Sequence, residues 1–444
     1  MIEHDLTGEL DTFLAEHESL LIDFRRDLHA HPEVGYSEHR TTSRIALLLE
    51  GAGLRPVILP KGTGLIADVG GAPDEHPVVA LRADIDALPV TDEKNVSYRS
   101  RNPGACHACG HDVHTTVLLG TGLFLARAAA SGGLPGKVRL IFQPAEEVPG
   151  GALDVMAAGG ISSVDRIFAL HCDPRLDVGK IGTRIGPITA ACDKIKVEIS
   201  GPGGHTARPH LTADLVFALG KVITELPAAL SRRIDPRSGL SLVWGKVSAG
   251  SAPNAIPDSG VVEGTVRCLD DNAWHTAPEL LKSLVESVTS AYGVTYDLSY
   301  QRSVPPAVND GVSTTMIAAA ADRVLGPDAL ATAPQSLGGE DFAWYLESIP
   351  GSLVRLGTRR PGSSGEVDIH QPLFDVDERC IAVGVKVMAA TAMSATAMST
   401  IGDGCGEDPS LASIDQPVSP LAATVDDVTL AGPLLAASRG WRAR

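Results

Sequence analysis

The sequence predicts an α/β fold: a central mixed sheet flanked by helices, interrupted by an inserted βαββαβ unit of ferredoxin-like order. Three observations carry this. Between Pro56 and Leu170, short apolar runs alternate with helical periodicity, the signature of a sheet covered by helices. Between about residues 186 and 302 the order changes to βαββαβ, with its own apolar pattern. Beyond residue 302, helix and strand signals return that rejoin the first layer.

The elements follow in order. Apolar residues recur at helical spacing over Leu10–Leu28, and Pro32 ends that helix because the residue before a proline is pushed out of the α region. A second helix runs from Glu38 to Gly51, where glycine stops it. Pro56–Leu59, Leu65–Val69 and Val78–Ala83 are short apolar strands bounded by glycine, proline or charge. A helix over Val113–Ala130, a strand over Lys137–Phe142, a helix over Ala152–Ala158 and a strand over Arg166–Leu170 complete the first layer. The insertion reads as strand Lys194–Ser200, helix Ala213–Leu230, strands Leu240–Val247 and Val261–Leu269, helix Ala273–Tyr292 and strand Thr295–Ser299. A helix over Thr314–Leu325, a strand over Ser352–Leu356 and a helix over Asp377–Ala395 follow. The expected domains are residues 1–186 and 303–398 as two parts of one catalytic domain, 187–302 as the insertion, and 399–444 as a low-complexity tail, disordered or loosely docked.

Composition narrows the function classes. The 444 residues are 44% hydrophobic and 20% charged, a globular balance. A net charge of −17 speaks against nucleic acid or an anionic membrane as partner. Seven scattered cysteines do not form a disulfide framework, so a reducing compartment is expected. The acidic N-terminal segment lacks the basic start and apolar run of a leader, and no window of about 20 residues reads as a membrane span. A soluble cytoplasmic protein is the expectation.

The chemistry centres on residues 106–114, which hold Cys106, His107, Cys109, His111, Asp112 and His114. Thiolate, imidazole and carboxylate together are a transition-metal ligand set, and no second half of a zinc ribbon follows, so further ligands must come from distant segments. Not all of these residues can ligate; some orient the others or face solvent. Asp84, Asp86, Glu146, Glu147 and His171 each lie just past an expected strand end, the edge where open α/β sheets bind ligands. Two adjacent carboxylates at a strand end can divide metal holding from proton transfer. Asp84 and Asp86 serve either as turn caps or to orient a ligand histidine. His370 lies in a loop before the last helix, and residues 201–210 form a glycine-rich turn with two histidines but no phosphate-binding Lys-Ser/Thr.

The chain resembles the M20 metallopeptidase family, in its amidohydrolase branch of hippurate hydrolases, N-acyl-amino-acid amidohydrolases and auxin-conjugate (IAA-amino acid) hydrolases. The segments that carry the likeness are 26–33, 82–89, 108–112, 142–147, 203–210, 254–257, 264–267, 339–342 and 370–372, in order over about residues 20 to 395. The resemblance implies a zinc-exopeptidase-like catalytic domain, and the insertion then looks like the family's lid and dimerisation domain. It implies two divalent ions per subunit, zinc or manganese, with cobalt or nickel also possible. Cys109, His111, Glu147, His171 and His370 match the ligand positions and Glu146 the general base; Asp86, placed to orient a ligand histidine, is expected with Glu146 and His205 among the catalytic residues. His205 matches a lid histidine that reaches a neighbouring subunit's site, and Asn254 and Arg267 match substrate-touching lid positions. His114 stays outside the ligand set. Cys172 departs from the apolar residue usual there. The implied reaction is hydrolysis of N-acyl amino acids by a metal-activated water, in a homodimer or higher assembly formed through the lid domain. Two other readings share these residues: a carboxypeptidase-like metallo-exopeptidase or dipeptidase, and a non-catalytic metal-dependent binding protein, against which the intact Glu146 speaks.

Overall fold

The computed structural model describes residues 5–72, 79–363, 367–402 and 428–431. Helices α1 (Leu6–Ala30) and α2 (His39–Gly51) precede strands β1 (Val57–Ile58), β2 (Leu65–Val69) and β3 (Val79–Asp84). Then come α3 (His111–Ala130), β4 (Val138–Gln143), α4 (Gly151–Ala157), β5 (Arg166–Asp177), β6 (Ile181–Thr183) and β7 (Gly186–Thr189). The insertion holds β8 (Ala191–Ser200), β9 (Gly204–His205), α5 (Leu215–Arg233), β10 (Ser241–Ala249), β11 (Ala255–Ile256), β12 (Ser259–Cys268), α6 (Asp271–Ser290) and β13 (Thr295–Val304). The chain returns through β14 (Ala307–Asn309), α7 (Gly311–Leu325), β15 (Leu330–Thr332), α8 (Ala343–Leu346), β16 (Gly351–Arg359) and α9 (Arg379–Gly402); β17 (Val428–Ala431) follows. Apart from β17 and the end of α9, the tail beyond residue 399 lies outside the described residues.

Two compact units result. Among the described residues, one takes those of 5–188, 307–335 and 340–402; the other takes those of 189–306, 336–339 and 428–431. The first is built on an eight-stranded sheet of order β1-β2-β4-β3-β5-β16-β6-β15. Its centre is parallel, β3 with β4 and β5, and β5 with β16, while β1, β2 and the β16–β6 pair are antiparallel. All six residues of β3 are buried, as a strand covered on both faces must be. Leu10, Phe13, Leu21, Phe24 and Leu28 of α1 join Val113, Val117 of α3 and Ile381, Val385 of α9 in the larger core. In the second unit the four long strands run β10-β12-β8-β13, all antiparallel, and β17 pairs with β13. Taken in chain order those four strands sit 4-1-3-2 from β13, the ferredoxin-like arrangement. Asp214 and Asp270 cap its two helices by accepting from Phe217 and Ala273 N–H.

Three expectations need correction. The strand expected to stop at Leu170 continues to Asp177, so His171 lies within β5 rather than past its end, because pairing with β16 carries the polar continuation. Helix α3 begins at His111, two residues earlier than expected, with Gly110 as its cap. Two helices, His111–Ala130 and Arg379–Met398, are long and apolar enough to cross a membrane. Both are mostly buried core helices, and α3 carries His111, Asp112 and His114 on buried positions.

Candidate metal centre

Four segments of the first unit deliver the site. Gly110 stands between Cys109 and His111 with φ +87°, and a Cβ there would lie 2.8 Å from Cys172 Sγ, so only glycine fits. Beyond β4 the chain turns through Ala145, a buried residue at φ +55° whose N–H donates to Glu38 Oε1 at 2.8 Å. This turn sets Glu146 and Glu147 at the strand end. His171 rides on β5, opposite Arg355 of β16. His370 is held at φ +66° while its N–H donates to Ala108 O at 2.7 Å, which ties the distant loop to the cysteine segment. Non-glycine residues at positive φ cost about 1–3 kcal/mol each and collect where function over-determines the backbone.

The side chains converge. His171 Nε2 lies 3.5 Å and His370 Nε2 3.3 Å from Cys109 Sγ. His370 Nε2 is 3.3 Å from Glu147 Oε1, and His111 Nε2 is 4.0 Å from both Glu146 Oε2 and Glu147 Oε1. Zinc bonds of about 2.0–2.3 Å at tetrahedral angles would set nitrogen and sulfur about 3.5 Å apart, and nitrogen and oxygen about 3.4 Å. The first three separations therefore fit ligands that share a cation. His111 Nε2 and Glu147 Oε1 are buried yet have no hydrogen-bond partner among the described residues. Burial first pushes the Cys109 thiol and the Glu146 and Glu147 carboxyls up, and nearby carboxylates raise each further: Glu147 and Glu146 act on Cys109, Glu340, Glu147 and Asp341 on Glu146, and Asp86 on Glu147. Desolvated anions so close together call for cations among them.

Supporting groups surround this set. Asp86 holds two of its members at once: its Oδ1 lies 3.2 Å from His111 Nδ1 and its Oδ2 accepts the Glu147 N–H at 3.0 Å. Asp84 pairs with His114 and Arg82 and stands 3.8 Å from His111 Nε2. Asp112 accepts from Arg25 Nε at 2.8 Å and pairs with His29 Nδ1 at 2.7 Å. His107 is buried with neither ring nitrogen hydrogen-bonded among the described residues, and burial pushes it down to about 3, so it stays a neutral packing group. Residue type alone does not mark Arg82, Arg25, His29, Glu340 or Asp341. Most lie inside the motif segments, but only a fold can show that Arg82 meets Asp341.

His29 yields a pH-dependent expectation. Burial opposes its charge, but the Asp112 carboxylate by charge and hydrogen bond, with Asp92, holds the ring up to about 10. An unfolded histidine titrates near 6.5. The folded pKa is thus the higher one, so the stabilisation is complete below about pH 6.5 and is lost as pH rises through about 10. His29→Gln should cost about 2 kcal/mol at pH 6, the size of a charged hydrogen bond, and the gap to the parent should close toward pH 10. Urea unfolding at several pH values reads this; a gap that widens with pH refutes it.

The second unit holds the remaining expected residues. His205 of β9 pairs with Ala255 of β11, and Thr206 N–H donates to Asn254 O at 3.3 Å, so His205 and Asn254 share one exposed two-stranded ribbon. Arg267, on β12, donates through Nη1 to Leu337 O.

Comparison with known proteins adds the following. The model of "Peptidase family M20/M25/M40" matches residues 80–394. The putative glutamate–cysteine ligase 2-3 of Rhodococcus jostii is 48% identical over 387 residues, 87% of this chain but 48% of that protein, so the chain spans about half the length of that relative. The N-acetylcysteine deacetylase of Bacillus subtilis is 39% identical over 374 residues, 84% of this chain and 96% of that one. A crystal structure of the Bacillus subtilis YXEP protein, described as a dinuclear metal binding peptidase from the M20 family, aligns with TM-score 0.75 at 36% identity, over 85% of this chain and 98% of that one. Other relatives are named amidohydrolase, IAA-amino acid hydrolase and thermostable carboxypeptidase.

Proposed function

Given that the chain belongs to peptidase family M20/M25/M40 and is a hydrolase of amide bonds with a site for two divalent ions, we propose that it cleaves the amide of N-acyl amino acids. The observation that carries the reading is the convergence of Cys109, His111, Glu147, His171 and His370 beside a carboxylate, Glu146, that this arrangement leaves free to move a proton. We assign those five as ligands. The thiolate favours zinc, and manganese, cobalt or nickel also suit a mixed N/O/S set. When bound, the ions supply Lewis acidity, lowering the pKa of water and polarising the scissile carbonyl. Glu146 accepts the proton of the attacking water and delivers it to the departing nitrogen. Asp86 keeps His111 and the Glu147 backbone in register. The His370 side chain is 49% exposed and Glu147 14%, so the substrate enters on that side. His205 is assigned to the carbonyl oxygen of substrate held by a neighbouring copy, and Asn254 and Arg267 to substrate contact.

The names of two Bacillus subtilis relatives make N-acetylcysteine the first substrate to test. Relatives named carboxypeptidase favour a second reading, an exopeptidase on the same centre. With added zinc or manganese, N-acetyl and N-benzoyl amino acids should turn over at least tenfold faster than dipeptides or C-terminally blocked peptides. A chelator should abolish this, and metal should restore it. Faster cleavage of dipeptides would transfer the assignment to the second reading; binding without turnover would reject both. The six described cysteines are unpaired, which supports a reducing, cytoplasmic setting. The edge strand β10 leaves Val243 61% and Val247 59% exposed, an apolar edge that supports pairing with a second copy. Light scattering should return twice the chain mass; a monomer rejects the dimer.

A further inference from the structure

His114 lies one helical turn beyond His111, is buried, and is used by none of the steps above. Asp84, His111 and His114 lie close enough to be mistaken for a metal triad. Both nitrogens of His114 are already engaged, however. Nε2 lies 2.8 Å from the Cys172 N–H, which donates to it, so Nε2 carries the lone pair. The proton is therefore on Nδ1, 2.6 Å from Asp84 Oδ1, and this hydrogen bond fixes a neutral ring in one tautomer. Asp84 is anchored in turn: its Oδ2 accepts from Arg82 Nη1 at 2.7 Å. Arg82, Asp84, His114 and the Cys172 peptide thus form one buried chain.

The chain ends on a ligand. Cys172 follows His171, and its carbonyl lies 2.8 Å from His171 Nδ1, which donates to it and leaves the Nε2 lone pair facing Cys109 Sγ. The β3–β5 ladder closes at Arg82 and Ala169, so β5 has lost that neighbour where the Cys172 N–H needs a partner. The His114 side chain takes the place of the missing strand. Cys172 also packs on Gly110, between Cys109 and His111. Cys172 is thus clamped at its N–H by His114 and orients His171 through its carbonyl, which belongs to the next peptide unit.

We propose that His114 is a positioning residue that, through Asp84 and Arg82 behind it, holds the Cys172 peptide so that His171 aims its lone pair at the ion shared with Cys109. The proposal rests on the ligand assignment made above. The test titrates cobalt(II) into metal-stripped parent, His171→Ala, His114→Phe, His114→Gln and His114→Asn proteins, recording stoichiometry, affinity and visible spectrum. His171→Ala should lose one of two tightly bound ions; if it keeps both at parental affinity, the ligand assignment fails rather than this proposal. His114→Phe should bind cobalt 10–100-fold more weakly, as loss of an orienting partner does, with an altered thiolate–cobalt absorption and a lower kcat at little-changed KM. Glutamine can accept from the Cys172 N–H at the Nε2 position, whereas asparagine reaches only Asp84, so His114→Gln should recover more affinity than His114→Asn. Parental affinity and spectrum in His114→Phe overturn the proposal whatever its melting temperature. If that variant does not fold, equal affinities of the glutamine and asparagine variants overturn it, and a glutamine advantage sustains it.

Discussion

Replacing Glu146 by glutamine should leave both ions bound and the fold intact while kcat falls by about 10²–10⁴, the range attributed to a positioned general base. The size of the loss follows from what the amide cannot do: it keeps the shape and a hydrogen-bonding oxygen but neither accepts nor returns a proton. Stability should hold or rise. The Glu146 carboxyl is pushed up by burial first, then by Glu340, Glu147 and Asp341, so the parent carries a desolvated acid among like charges. A neutral amide relieves that repulsion. Among the described residues Glu146 takes part in the 3.3 Å hydrogen bond from Asp341 N–H to its Oε1, which the glutamine oxygen can still accept, and in a 4.0 Å approach to His111 Nε2, whose charge attraction the amide gives up. Metal content by elemental analysis, kcat for an N-acyl amino acid and the melting temperature decide together. Turnover within tenfold of the parent would remove Glu146 from the role of base. Loss of an ion in the same variant would instead move it into the ligand set.

The residue types of this site were legible because metal chemistry uses a small vocabulary. Cys109 and His111 stand two positions apart, and Glu146 and Glu147 follow an apolar run. What brings His370 within 3.3 Å of Cys109, across 261 positions, is not written locally. It depends on a backbone bond from His370 N–H to Ala108 O and on a left-handed φ at a histidine, which no propensity forecasts. The long elements of the fold were readable for the same reason in reverse, since six alternating or helical runs of nine to twenty residues, β8, α5, β10, β12, α6 and β13, have periods to detect. Strands of two to four residues, such as β6, β7, β14 and β15, are too short to show a period and exist because neighbours pair with them. Arg82 shows the limit most clearly. Within its strand it reads as one polar interruption of an apolar run, and its partners are named only once the chain has folded.

Arg82→Met should be the most destabilising of these substitutions, by about 3–5 kcal/mol, the cost of breaking a buried ion pair from one side. Arg82 is 2% exposed. It donates to Asp84 Oδ2 at 2.7 Å, Asp341 Oδ1 at 2.8 Å and Gln143 Oε1 at 2.9 Å, and lies 3.1 Å from Glu340 Oε1. Methionine fills much of the volume but leaves three carboxyl groups without their shared cation. Those groups can escape only by taking up protons, so the deficit should grow with pH: smaller at pH 5, larger at pH 8. Asp341 is already raised to about 7, chiefly by burial, with Arg82 as the main opposing influence; without Arg82 its pKa rises further. Arg82→Lys should fall between the two, because an ammonium keeps the charge but cannot span four acceptors with a planar fork. A melting temperature lower by roughly 6–15 °C for Arg82→Met would match this energy in a unit of this size. A loss under 1 kcal/mol that does not vary with pH would mean that the carboxyl groups do not depend on Arg82, and that the cluster is held by Gln143 and the backbone donor of Ala152.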